Sequence, residues 1–234
     1  MANDLFYFKQ FAICQSQCGM KVGTDGTLLG AWAAGGSRIL DVGTGTGLIA
    51  LMMAQRFPQA KVMGIDIDAQ AVVQAQQNMT ASPFADRVEA VLADVRQFAP
   101  TGSRFDAIVA NPPYFDNSLQ CPDSQRTMAR HTTSLNYREL AVAAWQLLDD
   151  EGLFSVIVPM DGHGRMESEA VLAGFSLIRE CAVKTTTRKP AKRCMMAFAK
   201  HPAACLVRCE EVLQNPDGGR SHWYDELTKD FYLR

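Results

Sequence analysis

The sequence predicts an α/β fold, a mostly parallel sheet with helices on both faces. Three observations carry this. The short apolar strand Arg38–Val42 runs directly into Gly43-Thr-Gly45-Thr-Gly47 and an apolar helix, Leu48 to Arg56. Glycines at alternating positions permit positive φ and close backbone approach. A strand, a glycine loop and a helix N-terminus make a nucleotide-type cradle at the carboxyl edge of a parallel sheet. Strand-like and helical runs then alternate along the chain, the pattern of βαβ units. Finally, four successive strands end on polar residues (Asp41, Asp66, Asp94 and Asn111) at what should be one edge of that sheet.

Taken in order, residues 4–20 hold Leu5, Phe6, Phe8, Phe11 and Ile13 without a long period, and read as a short strand and turn. Thr24 or Asp25 can cap a helix whose Leu28, Leu29 and Trp32 share one face. The polar start of that helix is a candidate small-molecule contact, though a plain capped helix is the simpler explanation. After the glycine loop, the strand Lys61–Asp66 ends on a carboxylate nineteen residues beyond Gly47, placed to accept from both hydroxyls of a ribose. A helix over Asp68–Asn78 precedes a third strand, Val88 to Asp94, and the fourth runs from Phe105 to Ala110. An amphipathic helix, Tyr137 to Leu148, stops before Asp149-Asp-Glu-Gly152, and a fifth strand covers Leu153–Val158. A helix near Arg165–Ala173 leads to strands Phe175–Val183 and Cys194–Ala199, then a strand-like run Ala204–Val212 and a short aromatic helix, Trp223 to Tyr232.

The fourth strand gives way to Asn111-Pro112-Pro113-Tyr114. Each proline lacks an N–H and pushes the residue before it out of the helical region. The chain therefore leaves the strand extended, with the Asn111 side-chain oxygen and the Pro112 carbonyl as two acceptors beside an aromatic face. That arrangement suits a planar –NH2 group with two hydrogens to donate and a π system to stack. Asn-Pro is also an ordinary turn starter, but its four-residue form after a buried strand raises the functional reading well above that.

The glycine loop alone leaves the cofactor open. Gly45-Thr-Gly47-Leu-Ile-Ala50 also fits the G-x-G-x-x-A dinucleotide variant, with Asp66 near the expected offset. Two observations separate the readings. Asp41 puts a carboxylate inside the site, awkward beside a pyrophosphate but suited to a cofactor bearing an ammonium and a sulfonium. Asn-Pro-Pro-Tyr has no role in hydride transfer.

These residues resemble the S-adenosylmethionine (SAM) methyltransferases of Rossmann-like, class I fold, and Asn111–Tyr114 resembles their amino-methyltransferases. Over its whole length the chain is similar to the bacterial valine-tRNA adenine-37 N6-methyltransferases, including Lys21–Gly26, the Arg126–Leu140 region and Tyr224–Leu233. The resemblance implies a seven-stranded sheet whose last strand is antiparallel. It implies that Gly43, Gly45 and Gly47 line the methionine part of SAM with Asp41 near its amino group. Asp66 would hold the ribose, and Asp94 would accept from the adenine amine with Val95 beside the ring. Asn111 and Pro112 would hold the target N6, within a catalytic set completed by Pro113 and Tyr114, with Tyr114 stacked on the base and Phe115 as a second wall.

Composition bounds the partners. At 234 residues, one enlarged domain over 1–234 is expected, with 1–36 contributing to the site and 203–234 as a C-terminal extension. No window approaches 18 apolar residues and no leader pattern opens the chain, so neither a membrane span nor secretion is expected. Seven cysteines in an odd, scattered set read as free thiols of a cytoplasmic protein. A metal site is not expected, since neither Cys14/Cys18 nor Cys205/Cys209 has a nearby His, and a monomer is. A net charge of −2 makes no global case for nucleic acid. Locally, Arg179 to Arg193 holds six basic residues against one acid. Lys184, Arg188, Lys189, Lys192 and Arg193, with Arg126 and Arg130, are the candidates to grip tRNA; a solvated loop is the bland alternative. Other acceptors also present a planar amine: a protein glutamine, DNA adenine or rRNA guanine. An NAD-dependent oxidoreductase makes Tyr114 incidental, and a non-catalytic RNA-binding module leaves the glycine loop unexplained.

Overall fold

The computed structural model describes residues 4–16, 21–100, 102–112 and 135–233. In chain order they form β1 (Leu5–Tyr7), β2 (Ala12–Cys14), α1 (Thr24–Trp32), β3 (Arg38–Val42), α2 (Leu48–Arg56), β4 (Lys61–Asp66), α3 (Ala69–Thr80), β5 (Val88–Leu92) and β6 (Phe105–Ala110). Then come α4 (Tyr137–Leu147), β7 (Leu148–Pro159), α5 (His163–Leu172), β8 (Ser176–Thr186), β9 (Ala191–Ala199), β10 (Val207–Gln214) and α6 (His222–Thr228).

The main sheet has the order β10-β8-β9-β7-β6-β3-β4-β5, and β1 and β2 form a separate hairpin. β3 through β7 pair in parallel, while β9 runs antiparallel to both β7 and β8. The expected seven strands with an antiparallel seventh are thus present. An eighth, β10, extends the edge by pairing in parallel with β8 from Val207↔Arg179 to Gln214↔Thr186.

Alternation along the strands builds two cores. On β6, Phe105, Ile108 and Ala110 join the cluster beneath α4 and α5, while Ala107 and Val109 join the one beneath α1, α2 and α3. Strands covered on both faces read as continuous apolar runs, and this is why β3 and β6 are buried along most of their lengths. Helix α2 is buried from Leu48 to Ala54, which accounts for its nearly uniform apolar sequence.

Two local expectations shift. Helix α1 begins at Thr24, and Gly23 is its N-cap without a side-chain bond, so neither Thr24 nor Asp25 caps it. Helix α4 ends at Leu147, and β7 starts at Leu148, five residues before the expected Leu153. Leu148 pairs with Phe105 across an irregularity in register, which draws the charged turn Asp149–Gly152 into the strand.

The parallel sheet reverses direction of growth between β3 and β6, since β4 and β5 lie on one side and β7 on the other. In open α/β sheets, ligands bind in the crevice at the carboxyl ends of such a pair. The residues there are the Gly43–Gly47 loop and Asn111.

Candidate active site

The glycine loop is held from below. Gly43, Gly45 and Gly47 have φ of 72°, 55° and 81°, a region that only glycine enters cheaply. The Gly43 and Thr44 amides donate to the Ile65 carbonyl at the end of β4. Asp41 is fully buried; its Oδ2 accepts from Thr44 Oγ1 at 2.7 Å and from the Ala50 amide at 3.1 Å. The second bond satisfies one of the orphan donors in the first turn of α2. Its Oδ1 is buried without a hydrogen-bond partner among the described residues. Burial outweighs both donors and pushes the carboxyl up to about 7. Gly64 on β4 leaves room for this arrangement, because a Cβ there would lie 2.5 Å from Thr44 Oγ1 and 2.8 Å from Thr44 Cβ.

Asp66, at the end of β4, accepts from the Gly45 amide through Oδ2 at 2.9 Å and from the Asp68 amide through Oδ1 at 3.0 Å. Each oxygen keeps a second lone pair, which is what a vicinal diol requires. Asp94 sits in a different environment. Arg96 donates from its backbone, Nε and Nη2 to both carboxylate oxygens at 2.6–3.0 Å. These bonds, Arg96's side chain foremost, hold the Asp94 carboxyl below the usual range. Asp94 can take an adenine amine only by releasing part of that grip. Val95, the next residue, is buried in the α4-side core, which also holds Ile65 and Phe105.

A cavity of about 360 Å³ lies over the loop. Gly43, Thr44 and Gly45 form one wall and Asn111 and Pro112 another, with Lys21, Asp25 and Arg193 at the remaining side. The size is in the range of small-molecule sites. Among the described residues nothing stands within 4 Å of a Cβ built on Gly43, so the loop backbone borders open space there. The cavity therefore fits the amino-acid arm and sulfonium of SAM, and Asp66 beside Gly45 fits its ribose.

The structure brings Gly43, Gly45, Asn111 and Pro112 onto one cavity. It places Asp41 behind the loop instead of on the wall, so its role is to fix the loop and not to reach out of it. Gly47, the αL N-cap of α2, packs against Ala75 and Met79 and not on the cavity. Pro113, Tyr114, Phe115, Arg126 and Arg130 lie outside the described residues.

Of the basic stretch, Arg188, Lys189 and Lys192 are exposed around the β8–β9 turn. Lys184 is committed to Glu210 on β10 at 2.6 Å. Arg193, expected on tRNA, pairs with Asp25 and lines the cavity.

Asn78 was not singled out from the sequence. This buried residue of α3 donates to the Thr46 and Cys14 carbonyls and accepts from the Cys14 amide, each at 2.9 Å, tying loop to hairpin. Its one signal is a polar residue beside Met79 on the apolar face of α3, which carries no information about its distant partners.

Comparison with known proteins agrees with this geometry. Residues 23–155 match the model of the methyltransferase small domain. A tRNA1(Val) (adenine(37)-N6)-methyltransferase from Phocaeicola vulgatus is 46% identical, covering 100% of this chain and 99% of its own. A protein of the same name from Vibrio parahaemolyticus is 43% identical over 98% of this chain and 95% of its own. Among solved structures, a predicted O-methyltransferase from Agrobacterium tumefaciens superposes with a TM-score of 0.68 at 18% identity, covering 88% of this chain and 96% of that one. A glycopeptide N-methyltransferase complexed with SAM gives 0.56 at 12%, covering 77% and 100%. With an Asp-anchored glycine loop facing Asn111 and Pro112 across one cavity, and relatives matching from end to end, the chain belongs to the methyltransferase small-domain family and, within it, to the family of these full-length relatives.

Proposed function

We propose that the protein methylates the exocyclic N6 of an adenine in tRNA, adenine 37 of valine tRNA, with SAM as methyl donor. One observation carries the reading. Asn111 and Pro112 share a cavity with the glycine loop, so the amine-holding acceptors and the donor site open onto the same space. SAM, when bound, supplies an electrophilic methyl on a sulfonium. The residues of the chain supply position and electrostatics. Asp41 and Asp66 fix the loop through Thr44, Ala50 and Gly45. The Asn111 side-chain oxygen and the Pro112 carbonyl accept the two hydrogens of the target amine. An adenine amine is a poor nucleophile because its lone pair is delocalised into the ring. Two acceptors draw it towards a pyramidal geometry and localise that lone pair. No strong base is needed first, since the nitrogen becomes acidic once methylated. Tyr114 stacks the base, and a loop adenine is swung out of its stack to enter. No helix among the described residues is long and apolar enough to cross a membrane.

Two measurements test this. Incubation with labelled SAM and total RNA from a strain lacking the protein, followed by nucleoside mass spectrometry, yields labelled N6-methyladenosine in tRNA; label elsewhere, on protein glutamine or rRNA guanine, refutes the substrate. Asn111→Ala lowers kcat by about 10²–10³ while SAM affinity by calorimetry stays near that of the parent. Loss of both together would remove Asn111 from the amine.

A further inference from the structure

A second cavity, of about 450 Å³, adjoins the first and shares Thr24 and Arg193 with it. Its outer wall comes from the end of β10 and the C-terminal segment: Gln214, Arg220, Tyr224 and Tyr232. Two arginines line it, Arg193 in its pair with Asp25 and Arg220 at the far side, and no carboxylate is among its described lining residues. The wall is built. The Arg220 guanidinium lies over Tyr232, 4.5 Å from the ring centroid, and 5.7 Å from that of Tyr224, and the two tyrosine hydroxyls hydrogen-bond at 3.1 Å. Tyr224 is buried, and its hydroxyl is pushed up by burial and by Tyr232, against the opposing fields of Arg220 and Arg193. Both arginines line this one cavity. Arg220 keeps its outer side towards solvent, with only a 3.8 Å approach to the exposed Asp225. A planar cation stacked on a ring at one face, with N–H groups free to turn outward, suits phosphate and a stacked base together.

We propose that this second cavity is the subsite for the nucleotide adjoining the target adenine, its phosphodiester held between Arg193 and Arg220. The inference rests on the RNA-methylating reading. It deepens it by naming where the substrate strand leaves the methyl-transfer cavity. Thr24 and Arg193 form the shared wall, so a strand whose amine meets Asn111 continues over Arg193 towards Arg220. Extruding a base costs a few kcal/mol of stacking, and backbone contacts to its neighbour offset that cost. β10 and α6 are what raise this wall at the edge of the sheet beyond β8.

The experiment measures binding of the anticodon stem-loop of valine tRNA by fluorescence anisotropy over a salt series, with SAM binding by calorimetry alongside. For Arg220→Ala the Kd for the stem-loop rises about tenfold, and the slope of log K against log salt falls by about 0.7, one single-strand phosphate contact. SAM affinity is unchanged. Arg220→Lys keeps the charge and hence the slope, while affinity drops because the stacked plane is lost. An Arg220→Ala protein with the parent's Kd and slope overturns the proposal. So does a fall in SAM affinity with RNA binding intact, which gives the cavity to the cofactor. Methylation of tRNA adenine by the parent protein separates the two levels. If it occurs while Arg220→Ala changes nothing, only the subsite fails; if the parent neither methylates nor binds the stem-loop, both readings fall.

Discussion

Two polar regions of this molecule spend their charges in opposite ways. In the glycine-loop region, Asp41 and Asp66 point inward to N–H and O–H donors within the loop and the first turns of α2 and α3, and their work is to fix backbone. In the basic stretch from Arg179 to Arg193, side chains are claimed one at a time by distant elements. Arg179 lies over the Trp32 ring at 3.7 Å and donates to its carbonyl, Lys184 pairs with Glu210, and Arg193 pairs with Asp25. Only Arg188, Lys189 and Lys192 are left exposed, and they make no ion pair among the described residues. A run of like charge in sequence is thus not a patch in space. Half of it is absorbed by packing, and one member, Arg193, is delivered to the cavity over the glycine loop.

The comparison can be broken first at Asp41. Its folded-state carboxyl titrates near 7, above the unfolded value of about 3.9. The native state then binds more protons than the unfolded state between those pH values. The ligand-free protein should therefore lose stability as pH rises from about 4 to about 7, on the order of 4 kcal/mol in all. Asp41→Asn keeps the shape and the accepting oxygen but cannot ionise. Urea melts across pH should show the parent's slope and a flat variant; parallel profiles would mean that Asp41 does not titrate in this window.

Next is Gly64→Ala. The added Cβ collides with Thr44 at both Oγ1 and Cβ, and a β-branched side chain held to Asp41 has little freedom to turn away. A destabilisation of about 1–3 kcal/mol is expected, together with weaker SAM binding, because Thr44 loses its place under the loop. Normal SAM affinity would show that the loop tolerates the shift.

The smallest effects sharpen the other side. Lys189→Glu should raise the KM for tRNA severalfold and weaken its salt dependence, whereas Lys184→Ala should alter stability by less than about 1 kcal/mol and leave RNA kinetics unchanged. Equal effects from the two would mean that the stretch acts as one patch after all.

How far the site was legible depended on the range of the forces involved. The loop's glycines, the strand-end acids and Asn111–Pro112 were readable because backbone geometry imposes them locally: positive φ demands glycine, and a proline pair demands an extended exit. The eight strands of the main sheet were also legible as strand-like runs, though the bounds of β5 and of β7 to β10 were not. Leu148 enters the strand by pairing with Phe105, more than forty residues earlier, and no local pattern encodes that register. The resemblance puts Asp41 near the cofactor's amino group, and the structure buries it behind the loop, bonded to Thr44 and Ala50. The sequence shows a carboxylate before a glycine loop but not whether it faces the cavity or the helix behind it.

What the sequence by itself determined was the scaffold, a doubly covered parallel sheet presenting a glycine loop and an Asn-Pro pair at one edge. Periodicity and backbone restriction are properties of neighbouring residues, so they survive in one dimension. What only the tertiary structure decided was which charges face the substrate. Arg193 reaches the cavity because β9 runs antiparallel between β7 and β8, and Arg220 lines a cavity with Arg193 because β10 pairs alongside β8. A charge takes its role from its neighbours in space, and those neighbours come from elements far apart in the chain.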